Sequence, residues 1–193
     1  MKRILFSLTA LLSCSALWAQ SSGNNSGMEY LLDGSISVSA FGGPIVEFSS
    51  LGDDMAVSSG GGGALLLNQQ LFVGGYGLSS GEIGDSGNER FTLDHGGFWL
   101  GYLNSPDDMV HWGITAKLGW GEANTRIGGT SYSDNVFVIS PEAIVEFNIA
   151  RWFKINVGGG YHLVTGLGGE NGLAPEEFNK PAFTVNFLFG WFD

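Results

Sequence analysis

Large apolar residues alternate with smaller or more polar residues at the C-terminal end of the chain. The odd positions carry Phe183, Val185, Phe187, Phe189 and Trp191. The even positions carry Thr184, Asn186, Leu188, Gly190 and Phe192. Because successive side chains of a β-strand point to opposite faces, this period of two predicts a strand with one bulky apolar face and one smaller, more polar face.

The same alternation recurs upstream and predicts seven further strands. Three segments repeat it clearly, with mostly polar or small residues on one face: 110–120, 137–148 and 153–163. Four earlier segments are richer in glycine but still strand-like: 35–49, 55–67, 70–79 and 92–103. With the final strand at 183–192, the pattern predicts eight strands in all.

The connections between these strands alternate in length. The short ones are 68–69, 104–108 and 149–151, and the longer ones are 80–91, 122–134 and 164–180, with a first one around 50–54. Bacterial outer-membrane barrels place short turns on the periplasmic side and longer loops outside. The sequence therefore predicts an all-β fold, a closed eight-stranded antiparallel up-and-down transmembrane β-barrel with both ends of the barrel in the periplasm.

Aromatic residues cluster at both ends of the predicted strands. Those assigned to the periplasmic ends, facing outward, are Phe72, Tyr102, Trp112, Phe147, Phe153, Phe189 and Trp191. Those near the opposite ends are Phe48, Tyr76, Trp120, Phe137, Tyr161 and Phe183. Two aromatic belts flanking an aliphatic band are typical of membrane barrels. The alternative is that these rings fill a globular core.

Ionisable residues fall on the face predicted to point inward. Pairing residue 148 with residue 152 would place Glu146 directly opposite Lys154, and we expect an ion pair there. Glu142, Glu47 and Lys117 are further predicted members of this lumenal polar network, with His111 as another candidate. The interior of an eight-stranded barrel is just wide enough for side chains to fill. The network is therefore predicted to be structural rather than a conduction path or a catalytic pair.

The N-terminus predicts export. Lys2 and Arg3 precede an apolar run that is shorter than the roughly 20 residues of a membrane-spanning helix, and Ala19 offers a cleavage point. We expect a signal peptide at 1–19 and Sec-type export, a periplasmic segment at 20–34 and the barrel at 35–193. A permanent anchor helix is one alternative, and lipidation at Cys14 is another.

Composition limits the partners and cofactors. Removal of the signal peptide takes Lys2 and Arg3 and no acid, so the net charge changes from −11 to −13. Such an acidic chain is a poor ligand for nucleic acid, which needs clustered Lys and Arg. The histidines lie on separate strands without metal-ligand spacing, and no Gly-Lys-Ser/Thr follows the glycine run at Gly60–Gly63, so neither a metal nor another cofactor is expected. Acidic residues populate the predicted outer loops: Asp53, Asp54, Glu82, Asp85, Glu89, Glu122, Asp134, Glu170, Glu176 and Glu177.

With these patterns, the chain resembles the small eight-stranded outer-membrane barrels of the OmpX and OmpA-transmembrane type. An opening strand with Phe-Gly-Gly-Pro at Phe41–Pro44 and a glycine-rich penultimate strand indicate a separate branch of that group. The resemblance implies residence in the outer membrane, contact with outer-membrane lipid and lipopolysaccharide, and insertion by the barrel-insertion machinery. That machinery is implied to read a terminal aromatic residue; here Trp191 and Phe192 precede Asp193.

The predicted function is non-enzymatic: a structural or surface-display protein whose loops meet the environment or a surface partner that the sequence does not identify. One alternative is a lipid A-modifying enzyme. His162 is nearest the required position but is predicted to point inward, and His95 adjoins Asp94 without a nearby serine on the same face. A soluble periplasmic ligand-binding barrel is the other alternative.

Overall fold

The structure is a computed structural model. It describes residues 36–51, 54–81, 89–127, 129–167 and 178–192. Within these ranges, no helix has the length and apolar character needed to cross a membrane.

Several sequence predictions fall outside the described residues. These are the signal peptide at 1–19, the segment 20–34, the fate of Cys14, and the loop acids Asp53, Glu82, Asp85, Glu170, Glu176 and Glu177. The domain boundaries at the N-terminal end of the chain therefore stay predictions.

The described chain forms one antiparallel sheet that closes on itself. Its strands are β1 (Val38–Leu51), β2 (Asp54–Leu67), β3 (Leu71–Ser80), β4 (Glu89–Asn104), β5 (Val110–Ile127), β6 (Thr130–Ala150), β7 (Phe153–Tyr161), β8 (Leu163–Thr165) and β9 (Pro181–Trp191). Each strand pairs with its neighbour in sequence from β1 to β7, and β9 pairs with both β7 and β1. Because the last strand pairs with the first, the hydrogen-bonded ring is complete and forms the predicted barrel.

Two of the nine strands, β7 and β8, together form one barrel strand. We call each such continuous strand of the barrel wall a stave. β7 pairs Gly160 with Glu142 of β6, and β8 pairs Leu163 with Ile139 in the same register further along β6. The strand assignment is interrupted only at His162, whose backbone N–H donates to the carbonyl of Lys180 at 2.9 Å. The ring therefore has eight staves, as the alternation predicts.

The turn between β2 and β3 has three residues, 68–70, because the ladder ends at the pair of Leu67 and Leu71. Asn68 and Gln69 have φ angles of 49° and 60°, and the N–H of Gln70 donates to the carbonyl of Leu67 at 3.0 Å. Positive φ at both central residues is the conformation that matches the twist of antiparallel strands. The side chain of Gln69 also donates to the carbonyl of Phe192 at 2.8 Å, which ties this turn to the end of the last stave.

The prediction of a long loop at 122–134 is wrong. β5 continues to Ile127 and β6 begins at Thr130, and their ladder pairs residues up to Ile127 with Thr130. Gly129 lies in this turn with a φ of 88°, a conformation that glycine adopts without strain. The apolar signature ends near Trp120 because the outward residues become polar, whereas the backbone pairing continues beyond it.

Alternate side chains on the staves face outward and inward. On β5, Trp112, Ile114 and Trp120 are each more than half exposed, at 53%, 56% and 57%. The residues between them, including Thr115 and Lys117, are buried. On β9, Phe183 and Phe189 are exposed on the same outward face, and Thr184 and Asn186 are buried. The bulky apolar face therefore points out and the polar face points in.

Side chains fill the lumen in three layers. The layer beside the short turns (the turn-side layer) is apolar and contains Phe41, Ile45, Ala64, Leu66, Phe72, Tyr76, Leu78, Trp99, Leu103, Ile144 and Leu188. The layer beside the longer connections (the loop-side layer) is also apolar and contains Ala56, Leu93, Ala123, Val136, Val138, Val164 and Phe178. Some of the buried charged and polar residues lie between these layers, and others lie at the level of the turn-side layer, where Lys154 is opposite Leu188.

The prediction that Phe72 and Tyr76 face outward is wrong, because both are buried in the turn-side layer. Phe72 packs edge-on against Phe41 and Trp99, with ring centroids 5.4 and 5.2 Å apart. Inward glycines leave room for these rings: Gly101 lies beside the ring of Phe72, and Gly119 lies beside the hydroxyl of Tyr76. On a glycine-rich strand such as β3, the size contrast that reveals the two faces is lost.

Gly101→Ala is expected to destabilise the barrel by about 1–3 kcal/mol, because the new methyl group would overlap the ring of Phe72, which Phe41 and Trp99 hold in place. Urea unfolding of the protein in lipid vesicles measures the effect. The matched control is Gly159→Ala, whose methyl group would enter open space and should change stability by less than about 0.5 kcal/mol. Equal stability of the two variants would contradict the packing described for the turn-side layer.

Candidate functional site

The most chemically active group of side chains lies inside the barrel, between the two apolar layers. We call it the central cluster; it contains Glu47, Tyr76, His95, Thr115, Lys117, Glu142 and His162. All seven side chains are inward-facing and buried. They come from six staves, so the closed ring and the strand registers together determine where they meet.

Lys117 is the centre of this cluster. Its Nζ lies 2.6 Å from Oε1 of Glu142 on the neighbouring β6 and 3.4 Å from Oε2 of Glu47 on β1. β1 and β5 are four staves apart in a ring of eight, so the pair of Lys117 and Glu47 spans the lumen. Because Lys117 and Glu47 are both 0% exposed, each depends on the other groups of the cluster to stabilise its charge.

Neutral and histidine side chains complete the central cluster. The hydroxyl of Thr115 donates to Oε2 of Glu142 at 3.1 Å. Nε2 of His162 lies 3.2 Å from Oε1 of Glu47, within ion-pairing distance. The hydroxyl of Tyr76 is 2.9 Å from Nδ1 of His95. The ring of His95 lies edge-on to the ring of His162, with centroids 6.2 Å apart, so side-chain contacts connect β1, β3, β4, β5, β6 and the β7–β8 stave.

A second buried group, which we call the turn-side ion cluster, consists of His111, Glu146 and Lys154. Nζ of Lys154 lies 3.1 Å and Nε2 of His111 lies 3.2 Å from Oε1 of Glu146. The side chain of Lys154 also lies over the ring of Phe192, 4.5 Å from its centroid. The ion pair expected from the sequence is therefore present, with a histidine on its other side.

The predicted register of that pair is wrong. Lys154 is opposite Asn148 rather than Glu146, and Glu146 is opposite Asn156. β6 continues to Ala150, which pairs with Phe153, so the turn lies at 151–152 and not at 149–151; a one-residue shift between Asn148 and Ala150 then sets the rest of the register. Glu146 and Lys154 meet diagonally because both side chains are long enough to reach across two positions.

The remaining predicted aromatic residues lie outside the lumen, often in contact across neighbouring strands. At the turn side, Phe153 stacks on Phe189 with centroids 5.0 Å apart, and Trp152, which is not among the predicted belt residues, stacks on Phe189 at 6.1 Å. At the loop side, Trp120 contacts Phe137 at 5.2 Å and Phe48 contacts Phe183 at 6.4 Å. Trp112, Tyr161 and Trp191 are exposed, whereas Tyr102 and Phe147 are partly exposed.

The two clusters have the chemistry of a packed polar plug. Every charged member is at most 5% exposed, and the apolar layers cover the central cluster on both sides. Asp94 and His95, adjacent in sequence, lie on opposite faces: His95 contacts Tyr76 inside, and Asp94 accepts a hydrogen bond from Ser79 outside. Among the described residues, no three His, Cys, Asp or Glu side chains are grouped as a metal site would require.

Sequence reasoning misses some members of these clusters. Tyr76 is absent from the predicted network because its side chain was predicted to point outward from β3. The buried amide pair Asn156 and Asn186, with Nδ2 of Asn186 donating to Oδ1 of Asn156 at 3.0 Å, is also missing from it. Alternation could have found Asn186, since it lies on the polar face of the last strand, but it could not show which strand meets which across the lumen.

Solved structures of other proteins have the same fold. Neisserial surface protein A (NspA) matches with a TM-score of 0.58 and 13% identity, over 83% of this chain and 100% of that chain. Ail, the attachment invasion locus protein of Yersinia pestis, matches with a TM-score of 0.50 and 15% identity, over 80% and 96%. The N-terminal β-barrel domain of Pseudomonas aeruginosa OprF matches with a TM-score of 0.52 and 10% identity, over 79% and 97%.

These likenesses confirm the fold class. The chain has the fold of the small eight-stranded outer-membrane β-barrels of the OmpX and OmpA-transmembrane type. At such low identity they show the fold alone. No family model and no curated protein sequence matches the chain.

Lys117→Met is expected to destabilise the barrel by about 3–5 kcal/mol, because Glu47 and Glu142 would be left buried without their shared cation. Urea unfolding in lipid vesicles measures the loss. The combined variant Glu47→Gln, Lys117→Met and Glu142→Gln, which removes all three charges, should recover most of it.

The control for this experiment is Lys180→Met, which removes a partly exposed ammonium group just before β9 that is not a member of the central cluster. It should change the free energy of unfolding by less than about 0.5 kcal/mol. A Lys117→Met variant as stable as this control would show that the central cluster does not hold the staves together.

Proposed function

We propose that this protein is an integral outer-membrane β-barrel with a structural or surface-display role and no enzymatic activity. The observation that carries the proposal is the orientation of its side chains: large apolar residues cover the outside of a closed ring, and the charged residues of the two clusters lie within it. A water-soluble barrel would have the opposite arrangement, because exposure of so much apolar surface to water is unfavourable.

The outward apolar surface forms a band of limited height, which supports a membrane location. On β5 it runs from Trp112 through Ile114 to Trp120, and Glu122, Asn124 and Arg126 follow on the same face. Eight residues of a strand tilted by about 40° rise roughly 20 Å, close to the apolar band of about 25 Å in outer-membrane barrels. Aromatic residues at both limits of the band are suited to the two membrane interfaces.

The filled lumen supports a role other than transport. Trp99, Phe41 and Phe72 pack against one another in the turn-side layer, and Phe178 packs in the loop-side layer. Eight staves leave no aqueous channel once such side chains occupy the interior. The parts of the protein able to meet other molecules are therefore its outer surface and the segments beyond the loop-side aromatic belt.

The proposal of a non-enzymatic role is supported by the inaccessibility of the reactive side chains. His162, the residue best placed for chemistry on an outer-leaflet lipid, is 3% exposed and faces Glu47 inside the lumen. A lipid acyl ester or amide on the outside of the barrel would be separated from it by the strand backbone. Incubation with lipid A followed by mass spectrometry tests this point, and release or transfer of an acyl chain would overturn it.

The proposal includes export by the signal peptide at 1–19, insertion by the barrel-insertion machinery, and contact with outer-membrane lipid and lipopolysaccharide. We also propose that the segments beyond the loop-side belt are displayed at the cell surface. NspA is by name a surface protein, and it has the same fold. This shared fold supports surface display without identifying a partner.

Membrane fractionation tests the location. We expect the protein in the outer-membrane fraction, resistant to extraction with alkaline carbonate, and with a gel mobility that changes on boiling because the closed ring resists detergent until it is heated. Recovery in the soluble periplasmic fraction would overturn the membrane proposal.

A pair of charge insertions distinguishes lipid from water around the apolar band. Ile114→Lys places an ammonium group on the outward face between the aromatic belts, part of the way to the middle of the band, and should cost about 1–3 kcal/mol of stability in lipid vesicles. Ser133→Lys, on the outward face of β6 beyond the belt, is the matched control and should change stability by less than about 0.5 kcal/mol. Both sites are exposed, so similar small effects would indicate that water rather than lipid surrounds Ile114.

A further inference from the structure

The outward surface changes from apolar to polar within one step along the strands at Trp120. On neighbouring strands, Trp120 is directly opposite Gly96 and Phe137. The next outward row toward the loop side is polar across five staves and consists of Ser59, Ser79, Asp94, Glu122 and Asn135. The loop-side limit of the apolar band is therefore sharp on this side of the barrel.

A shallow notch of about 460 Å³ lies across this limit. The outward-facing positions that line it are Ser59, Gly77, Ser79, Asp94, Gly96 and Trp120. Gly77 is directly opposite Gly96, and because neither residue has a side chain, the two form a low floor. The ring of Trp120 forms one wall, and hydroxyl and carboxylate groups form the loop-side rim.

Gly77 keeps the notch open although the fold does not require glycine there. Its φ angle is outside the left-handed region, and a methyl group added to it would meet no atom within 4 Å. Glycine within a strand often marks a place where a ligand approaches the backbone closely. Gly159 is equally open, but its row neighbours Ala143 and Phe183 offer no polar group. The indole wall and the polar rim therefore distinguish the notch from other open glycine positions.

The groups around the notch are suited to an amphipathic ring. The electron-rich face of an indole attracts C–H groups that carry partial positive charge. Phe98 and Phe137 pack against Trp120, with ring centroids 6.1 and 5.2 Å away, and restrict its orientation. Asp94 accepts a hydrogen bond from Ser79 and, as a carboxylate, has further acceptor sites. A saccharide ring has C–H faces and hydroxyl edges, so it can contact the wall and the rim together.

The charge at the rim disfavours an anionic ligand. Asp94 is the only outward-facing ionisable residue among those that line the notch, and it is directly opposite the exposed Glu122. These carboxylates would repel a phosphate or carboxylate group, whereas hydroxyl groups can donate hydrogen bonds to them. The saccharide that fits the notch therefore has no acidic substituent near it.

The height of the notch favours a ligand that is anchored in the membrane. Trp120 belongs to the loop-side belt, where aromatic residues are suited to the membrane interface. The next outward row toward the turn side contains Phe98 opposite Leu118, which are apolar. A lipid with its head group in the notch could therefore lay its acyl chains along this apolar surface.

We propose that the notch beside Trp120 binds the saccharide head group of a glycolipid from the surrounding leaflet, at a part of the head group that has no acidic substituent. The site is separate from the lumenal clusters. The lipid source rests on the proposed membrane location, whereas recognition of the saccharide depends only on the notch.

The test uses the full protein in phosphatidylcholine nanodiscs that contain equal amounts of glucosyl diacylglycerol and phosphatidylglycerol with the same acyl chains. Native mass spectrometry measures which lipid stays bound when the nanodisc is removed, and we expect the wild-type protein to retain the glucosyl lipid preferentially. Gly77→Val should weaken this binding at least about tenfold, because its side chain occupies the notch. Trp120→Leu keeps the surface apolar but removes the ring face, and should weaken it about fivefold.

The matched control is Gly159→Val, the same change at an outward glycine that is equally open and has no polar rim. It should leave binding of the glucosyl lipid unchanged. Loss of binding in Gly77→Val and Trp120→Leu, but not in this control, supports the proposal. Equal retention by Gly77→Val and Gly159→Val, or no preference of the wild-type protein for the glucosyl lipid, would overturn it.

Failure of the membrane proposal is distinguished by the behaviour of the sample before any binding is measured. Every variant is first checked for heat-modifiable gel mobility, which reports the closed barrel independently of lipid binding. If the wild-type protein does not enter nanodiscs, the membrane location fails, and maltose is titrated against the protein in buffer by calorimetry. Maltose binding that Gly77→Val removes would then support the saccharide site, and absence of binding would overturn it.

Discussion

The structure depends on closure of the backbone hydrogen-bond ring. Inside hydrocarbon, an unpaired backbone N–H or C=O group has no water to bind, and each such group costs several kcal/mol. Pairing of β9 with β1 removes the two edges that an open sheet would expose. Once the ring is closed with eight staves, its inner diameter is set, and the side chains must fill a narrow interior. In the proposed membrane location, the outward face needs only to be apolar and can tolerate many substitutions, whereas the inward side chains must fit together within a fixed space.

The lumen is filled in two different ways, by apolar packing in one layer and by paired charges in another. In the turn-side layer, large rings such as Phe72 and Trp99 fill the space, and inward glycines such as Gly101 accommodate them. In the central cluster, Lys117 reaches two carboxylates on different staves. Apolar packing tolerates small adjustments, but buried charges require particular partners at particular distances. The central cluster can therefore specify which staves face each other across the lumen. The aromatic rings of the turn-side layer fill space without specifying partners.

The sequence predicted most of the fold because alternation with a period of two is a local signal. It located the eight staves and the inward facing of Glu47, Lys117 and Glu142, since each of these positions differs sharply from its neighbours. It failed on β3, where glycines at both faces remove the contrast, and Phe72 and Tyr76 were placed outside. The sequence prediction also failed beyond Trp120, where β5 and β6 extend past the apolar band but remain hydrogen-bonded to each other. The meeting of Lys117 with Glu47, seventy residues apart, depends on ring closure, which no local pattern contains.

The ladder of β5 and β6 continues well past the apolar band, and this limits how the surface of the protein can change. Unless a bulge absorbs it, insertion of a single residue into β5 or β6 would reverse the facing of the side chains beyond it on that strand, turning outward groups such as Arg126 toward the opposite side. Changes of two residues, or changes confined to the tip near Gly129, preserve the facing. The paired ends of β5 and β6 are therefore expected to vary in length by even numbers of residues, whereas an irregular loop could vary by any number.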